Sequence, residues 1–147
     1  KIQIDGISFI EHLSFDAFNE GTRFKSSVRL AQKLTHSKLA IMGADAIYAT
    51  NNNRKYATRN NIRTDFCRKG RAGKHEEHRK QLASMITKER ASRLEGSFGK
   101  EKEHYHLKKI KARTQKTEIL WIFFGIHTAN ALEIGRRMAL EKLKQAA

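Results

Sequence analysis

The sequence predicts an α/β fold, and three observations carry that expectation. An alternating apolar run opens the chain around an Asp5-Gly6 pair, a short apolar run at 39–42 has the length of a buried strand, and residues 117–144 carry one long helical pattern. With 147 residues and 39% hydrophobic side chains, the chain has enough apolar material for one domain with a core. It begins with lysine inside the alternation KIQIDGISFIEHLSF and reads as a piece of a longer polypeptide.

In residues 1–14, Ile2 and Ile4 precede Asp5-Gly6 and Ile7 and Phe9 follow it. Both central residues tolerate positive φ, so the stretch reads as a β-hairpin with Asp5 in its turn. Ser14 or Asp16 is placed to cap a helix running towards Gln32, with Phe18, Phe24, Val28 and Leu30 among its apolar residues. Leu39, Ala40, Ile41 and Met42 suit a buried strand ending near Asp45. Functional groups of open α/β sheets gather beyond such strand ends, although an isolated Asp there also serves as an ordinary cap.

Residues 51–61 read as a short helix held by Tyr56 and Ala57, and 62–66 as one more short strand. Residues 68–80, RKGRAGKHEEHRK, form a glycine-containing basic loop that passes into a helix spanning about 76–103. On that helix Glu95, Gly99 and Lys102 fall at i, i+4 and i+7 and share one face, while Leu94 and Phe98 point to an adjacent face expected to pack on a sheet. Two glycines inside a helix cost about 1 kcal/mol each relative to alanine, which suits a bulky partner approaching the backbone; a helix that simply ends at Gly96 is the competing reading. In the last helix, 117–144, Ile119, Leu120, Ile122, Phe123, Phe124 and Ile126 make the first half apolar nearly all round, and that half is expected to be buried.

The formal net charge is +15, a self-repulsion that argues for a polyanionic partner. Residues 54–113 hold 19 of the 30 Lys and Arg and 7 of the 15 Asp and Glu, so 19 − 7 places +12 of that charge in this stretch. A membrane surface is the weaker alternative, because the basic stretch lacks an amphipathic helix with a broad apolar face and the longest apolar run falls far below the ~20 residues a span needs. The single cysteine, Cys67, excludes an internal disulfide and a cysteine-based zinc site, and an intracellular setting is the simplest expectation.

His75 and His78 flank two glutamates without the i, i+4 spacing of a zinc-protease helix, and His104 and His106 lie two apart; all four are read as surface or phosphate-contacting groups. No Walker-type phosphate cradle is present. What remains is a pair of carboxylates, Asp45 and Glu95, in basic surroundings. Hard oxygen ligands suit Mg²⁺ or Mn²⁺, and such ions promote phosphodiester displacement.

The segments DGISFIEHLSFDAFNEG, GADAIYATNNNRKY and RLEGSFGKEKEHYHLKKIKART resemble the C-terminal half of bacterial insertion-sequence transposases of the DDE type. That family places its second catalytic Asp in a strand-end D-x-x-Y pattern and its catalytic Glu in R-x-E-G-x-F-G, with a lysine seven residues later. Here those positions are Asp45, Tyr48, Arg93, Glu95 and Lys102. The resemblance implies a ribonuclease H-like fold, a mixed five-stranded sheet flanked by helices, with its first strand lying outside this chain.

It also implies Mg²⁺ or Mn²⁺ held by Asp45 and Glu95, DNA contacts from Lys102, Arg93 and Lys100, and strand cleavage followed by strand transfer at transposon ends. Element and target DNA are the expected partners, with a homodimer in the DNA complex and a location at the bacterial nucleoid in the cytoplasm. The family's first catalytic Asp lies on a strand preceding the hairpin, so two of three acidic ligands are expected here and little cleavage by this chain alone. The alternative is a noncatalytic basic nucleic-acid-binding domain in which Asp45 and Glu95 are structural.

Overall fold

The computed structural model describes residues 1–146, and its architecture is mixed α/β, mostly helical, with a long C-terminal helix. Where composition suggests one domain, the chain divides into two compact units: residues 10–92 with Ile2, and Lys1 with 3–9 and the chain from Arg93 onward. The division arises because the opening hairpin finds its packing partners among the C-terminal helices.

In the first unit, Asn19 accepts the Gly21 N–H and opens a 3₁₀ turn, Glu20–Arg23, that leads into α1 (Phe24–Thr35). Ser14 and Asp16 therefore do not cap this helix; the Ser14 hydroxyl accepts the Asp16 N–H at 3.1 Å in a local turn of their own. His36 closes α1 at φ 51°, a left-handed helix end. Next, β3 (Ile41–Met42) pairs in parallel with β4 (Arg63–Thr64), and the crossover between them carries α2 (Asn51–Arg59). Parallel pairing demands such a crossover, because a tight turn cannot return the chain in the same direction.

The core of this unit is Phe24, Val28, Ala57, Ile62 and Phe66, with Leu39, Met42, Tyr48 and Tyr56 packed around it. Phe24 and Val28 are wholly buried, worth about 1.5–3 kcal/mol each. A buried amide completes the packing: Asn53 Nδ2 donates to the carbonyls of Gly21 at 2.7 Å and Tyr48 at 2.9 Å, joining α2 to both 3₁₀ turns. Gly21 has to be small there, since a Cβ would lie 2.7 Å from the Ile47 carbonyl oxygen. Helix α3 (Glu76–Glu89) follows the basic loop, and Glu76 in its first turn pairs with Arg79 at 2.6 Å and Arg68 at 3.2 Å.

The second unit holds, except for Ile2, the hairpin of β1 (Ile2–Ile4) and β2 (Ile7–Phe9), whose turn residues, Asp5 and Gly6, adopt φ 45° and 77°. Helix α4 (Gly96–His104) and helix α5 (Gln115–Gln145) complete it, and Thr114 and Thr117 cap α5 reciprocally. The β2 strand is fastened to α5 by Asn130, which accepts the Ser8 N–H at 2.9 Å and donates to the Ser8 carbonyl at 2.8 Å. Lys1 reaches Glu101 of α4 at 2.5 Å in an ion pair whose two side chains are each 5% exposed. Burial lowers the Lys1 ammonium pKa, and the bond to Glu101 opposes that shift.

Three expectations are corrected here. The strands form two two-stranded sheets in place of one mixed sheet, because β3 and β4 are two residues long and pair only with each other among the described residues. The apolar first half of α5 is not buried all round: Gly125 and Ile126 are covered, but Leu120, Phe123 and Phe124 are exposed, since the elements packed on it cover only part of its circumference. Phe98 does not pack on a sheet either; it lies exposed with the Lys1 ammonium 4.0 Å from its ring centre. No described helix is long and apolar enough to cross a membrane.

Removing Glu101 would strand a buried ammonium. Glu101→Ala is expected to destabilise the fold by about 3 kcal/mol, read as a lower midpoint in urea unfolding. A second expectation concerns acid. Pairing with Arg79 and Arg68 lowers the Glu76 pKa from 4.5 to about 2, so the folded state binds fewer protons than the unfolded state between those values. The stabilisation is complete above the unfolded value and is lost as pH falls towards 2. Acid unfolding followed by circular dichroism should show a shallower loss across that window in Glu76→Gln.

Candidate functional site

Asp45 lies just beyond β3 and begins a 3₁₀ turn, Ala46–Tyr48, with its Oδ1 accepting the Ala46 N–H at 2.6 Å. The capping role weighed against function is thus real, yet it uses one lone pair of an exposed carboxylate and leaves the others open to solvent. The turn itself is held by Asn53 through the Tyr48 carbonyl. Tyr48 packs against the core, and its phenol pKa is raised, mainly by burial and then by nearby carboxylates including Asp45.

The parallel register sets Ile41 beside Arg63 and Met42 beside Thr64, so both strands run out at the same end of their sheet. Beyond β3 stands Asp45, and immediately beyond β4 stands Asp65, whose side chain is only 3% exposed. Asp65 Oδ1 accepts the N–H of Ala44 at 3.1 Å, tying down the residue before Asp45. Its Oδ2 is 3.6 Å from Arg90 Nε, and the same guanidinium lies 3.7 Å from Asp45 Oδ1. Those are ion-pair separations, longer than hydrogen bonds, and the buried Arg90 Nε has no hydrogen-bond partner. Gly43 lets α3 come this close, because a Cβ there would meet Ile86 at 2.8 Å.

Neither Asp65 nor Arg90 stands out in the sequence. An acid after a two-residue strand carries no periodic signal, and its burial depends on a parallel register that sequence does not display.

Glu95 closes a six-residue π-helical segment, Arg90–Glu95, between α3 and α4. Such segments are uncommon and recur at functional sites, where the extra residue rotates the following side chains relative to those before. The helix therefore does not stop at Gly96. Glu95, Lys100 and Lys102 are all exposed, and a Cβ on Gly96 or Gly99 would meet nothing within 4 Å. The face carrying Glu95, Gly99 and Lys102 is accordingly bare. Arg93 is engaged differently, donating to Asp5 of the hairpin turn at 3.2 Å, and Asp5 also binds Arg137 at 2.8 Å. His75, His78, His104 and His106 are exposed.

Asp45 belongs to one compact unit and Glu95, Lys100, Lys102 and Arg93 to the other. Each of the two exposed carboxylates is, by its own chemistry, a hard oxygen donor of the kind a divalent cation takes. Among the described residues no group of three or more His, Cys, Asp or Glu side chains is gathered to hold one.

A strand-end acid, an open acidic-basic helix face and concentrated positive charge are features of a class of protein that meets a polyanion. The chain belongs to the transposase DDE domain family, whose model matches residues 42–128, more than half of its length and inclusive of Asp45, Asp65, Arg90, Arg93, Glu95, Lys100 and Lys102. No curated protein and no solved structure matches the chain.

Asp65→Ala should remove the acceptor for the Ala44 N–H and the carboxylate facing Arg90, lowering stability by about 2 kcal/mol in denaturant unfolding.

Proposed function

We propose that this chain is the C-terminal part of a ribonuclease H-like catalytic domain that cleaves DNA at the ends of a mobile element and transfers the freed strand to target DNA. The observation that carries this reading is the family match over 42–128, which contains Asp45 at a strand end and Glu95 with Lys102 on one open helix face. Asp45 and Glu95 would be two acidic ligands of Mg²⁺ or Mn²⁺. The third is assigned to a strand preceding the hairpin. When bound, the metal supplies Lewis-acid activation of the attacking oxygen and stabilises charge on the phosphate.

The side chains named here bind and orient. Lys102 and Lys100 would neutralise phosphates along the bare face, with Arg93 beside them, and Asp65 and Arg90 would keep Asp45 at the sheet end. In cleavage, a water oxygen forms a bond to phosphorus while the bond to the 3′ oxygen breaks, and that oxygen leaves protonated as a hydroxyl. In transfer, the oxygen of that hydroxyl forms a bond to a target phosphorus while the target's own bond from phosphorus to its 3′ oxygen breaks. The proton lost by the attacking hydroxyl is balanced by protonation of the departing 3′ oxygen. Element and target DNA are the partners, and two copies of the chain are assigned to the DNA complex.

A second reading has its own observation. Asp45 has Arg90 at ion-pair distance, a partner that gives this carboxylate a structural role and favours a noncatalytic DNA-binding module. Calorimetric titration with Mn²⁺ separates the two readings, after circular dichroism shows that each variant folds. The catalytic reading expects binding weakened at least about tenfold in both Asp45→Ala and Glu95→Ala, the scale on which lost metal-site groups act. Unchanged binding in both would overturn it.

A further inference from the structure

A cavity of about 320 Å³ opens between the end of α4, the α4–α5 connection and α5 and is lined largely by rings: His104 from the last turn of α4, Tyr105 and His106 from the connection, Trp121 and Phe124 from α5. The geometry points to a binding pocket for an unpaired nucleobase. This deepens the DNA reading above and rests on it.

The pocket is constructed by particular residues. His106 takes φ 57°, reversing the chain after α4, and its carbonyl accepts the Trp121 indole N–H at 3.3 Å. Gly125 makes room for the turn, since a Cβ there would fall 2.8 Å from the Leu107 side chain. The indole is thereby anchored by its edge. Phe124 is 69% exposed, a large apolar ring facing water with no share in the core. Thr128 adds a hydroxyl to the lining, able to donate or accept at the edge of a base.

Charge selects the occupant. Between Lys100 and Lys116 the chain carries seven Lys and Arg against two glutamates. Both glutamates are already engaged, Glu101 by Lys1 and Glu103 by Lys108. Aromatic faces set within a cationic stretch form the stacking platform and phosphate track that single-stranded nucleic acid requires. An apolar protein segment would use the rings but not the charge. A base within a duplex is already stacked and cannot enter, so the ligand is a nucleotide in a single strand or one turned out of the helix.

Trp121 is the only tryptophan, which makes it a built-in reporter. The full chain would be titrated with a duplex and with the same duplex carrying one bulged thymine, following Trp121 fluorescence and measuring affinity separately by anisotropy. The bulged duplex is expected to quench Trp121 more strongly and bind more tightly. Phe124→Ala, and Tyr105→Ala as a second variant, should lose roughly tenfold in affinity for the bulged duplex and retain affinity for the plain one. Equal quenching and equal affinities in both variants would overturn the pocket while leaving the catalytic reading to its metal test. Failure to bind either DNA would overturn the pocket together with the DNA-binding part of that reading.

Discussion

A carboxylate taken out of water must find compensating charge or hydrogen bonds, and Asp65, at 3% exposure, is the group whose demands organise the strand-end region. It accepts the Ala44 N–H with one oxygen and faces the Arg90 guanidinium with the other. One buried acid thereby connects the end of β4, the segment after β3 and the end of α3. Gly43 permits the approach, and Asn53 secures the turn on the far side of Asp45. The orphaned Arg90 Nε shows that this ion-pair cluster is held by position and charge more than by hydrogen-bond geometry.

The second unit solves a similar problem with a different pair. Lys1 and Glu101 bury opposite charges together, with the Ser8 and Ser97 hydroxyls also reached by the ammonium, and this polar cluster joins hairpin to helix. Charge that is paired inside contrasts with charge left outside: Lys100 and Lys102 remain in solvent on a face cleared by two glycines. The buried pairs hold the fold, and the exposed ammonium groups of Lys100 and Lys102 are available to a polyanion.

Different parts of this arrangement were legible to different degrees. Asp5 and Gly6 are residue types for which positive φ is inexpensive, so a turn there follows from local chemistry. The apolar run at 39–42 marks a strand by its length and flanks. Helix α5 is legible from its periodicity, but the extent of its burial is not, because apolar residues all round a helix do not say how many neighbours will cover it. Leu120 and Phe124 remain exposed for that reason. The π-helical segment before Gly96 leaves no pattern in composition, and Asp65, Arg90 and Glu101 look like any other charges in a charged stretch.

By itself the sequence determined the α/β class, the long terminal helix, the concentration of positive charge and, through the motifs around Asp45 and Glu95, the transposase family. These depend on residue type and local spacing. Tertiary structure alone decided which acids are buried, where Arg90 lies between two strand ends, and how Tyr105, Trp121 and Phe124 converge on one cavity. Those outcomes depend on register and on contacts between distant segments, and no local pattern encodes them.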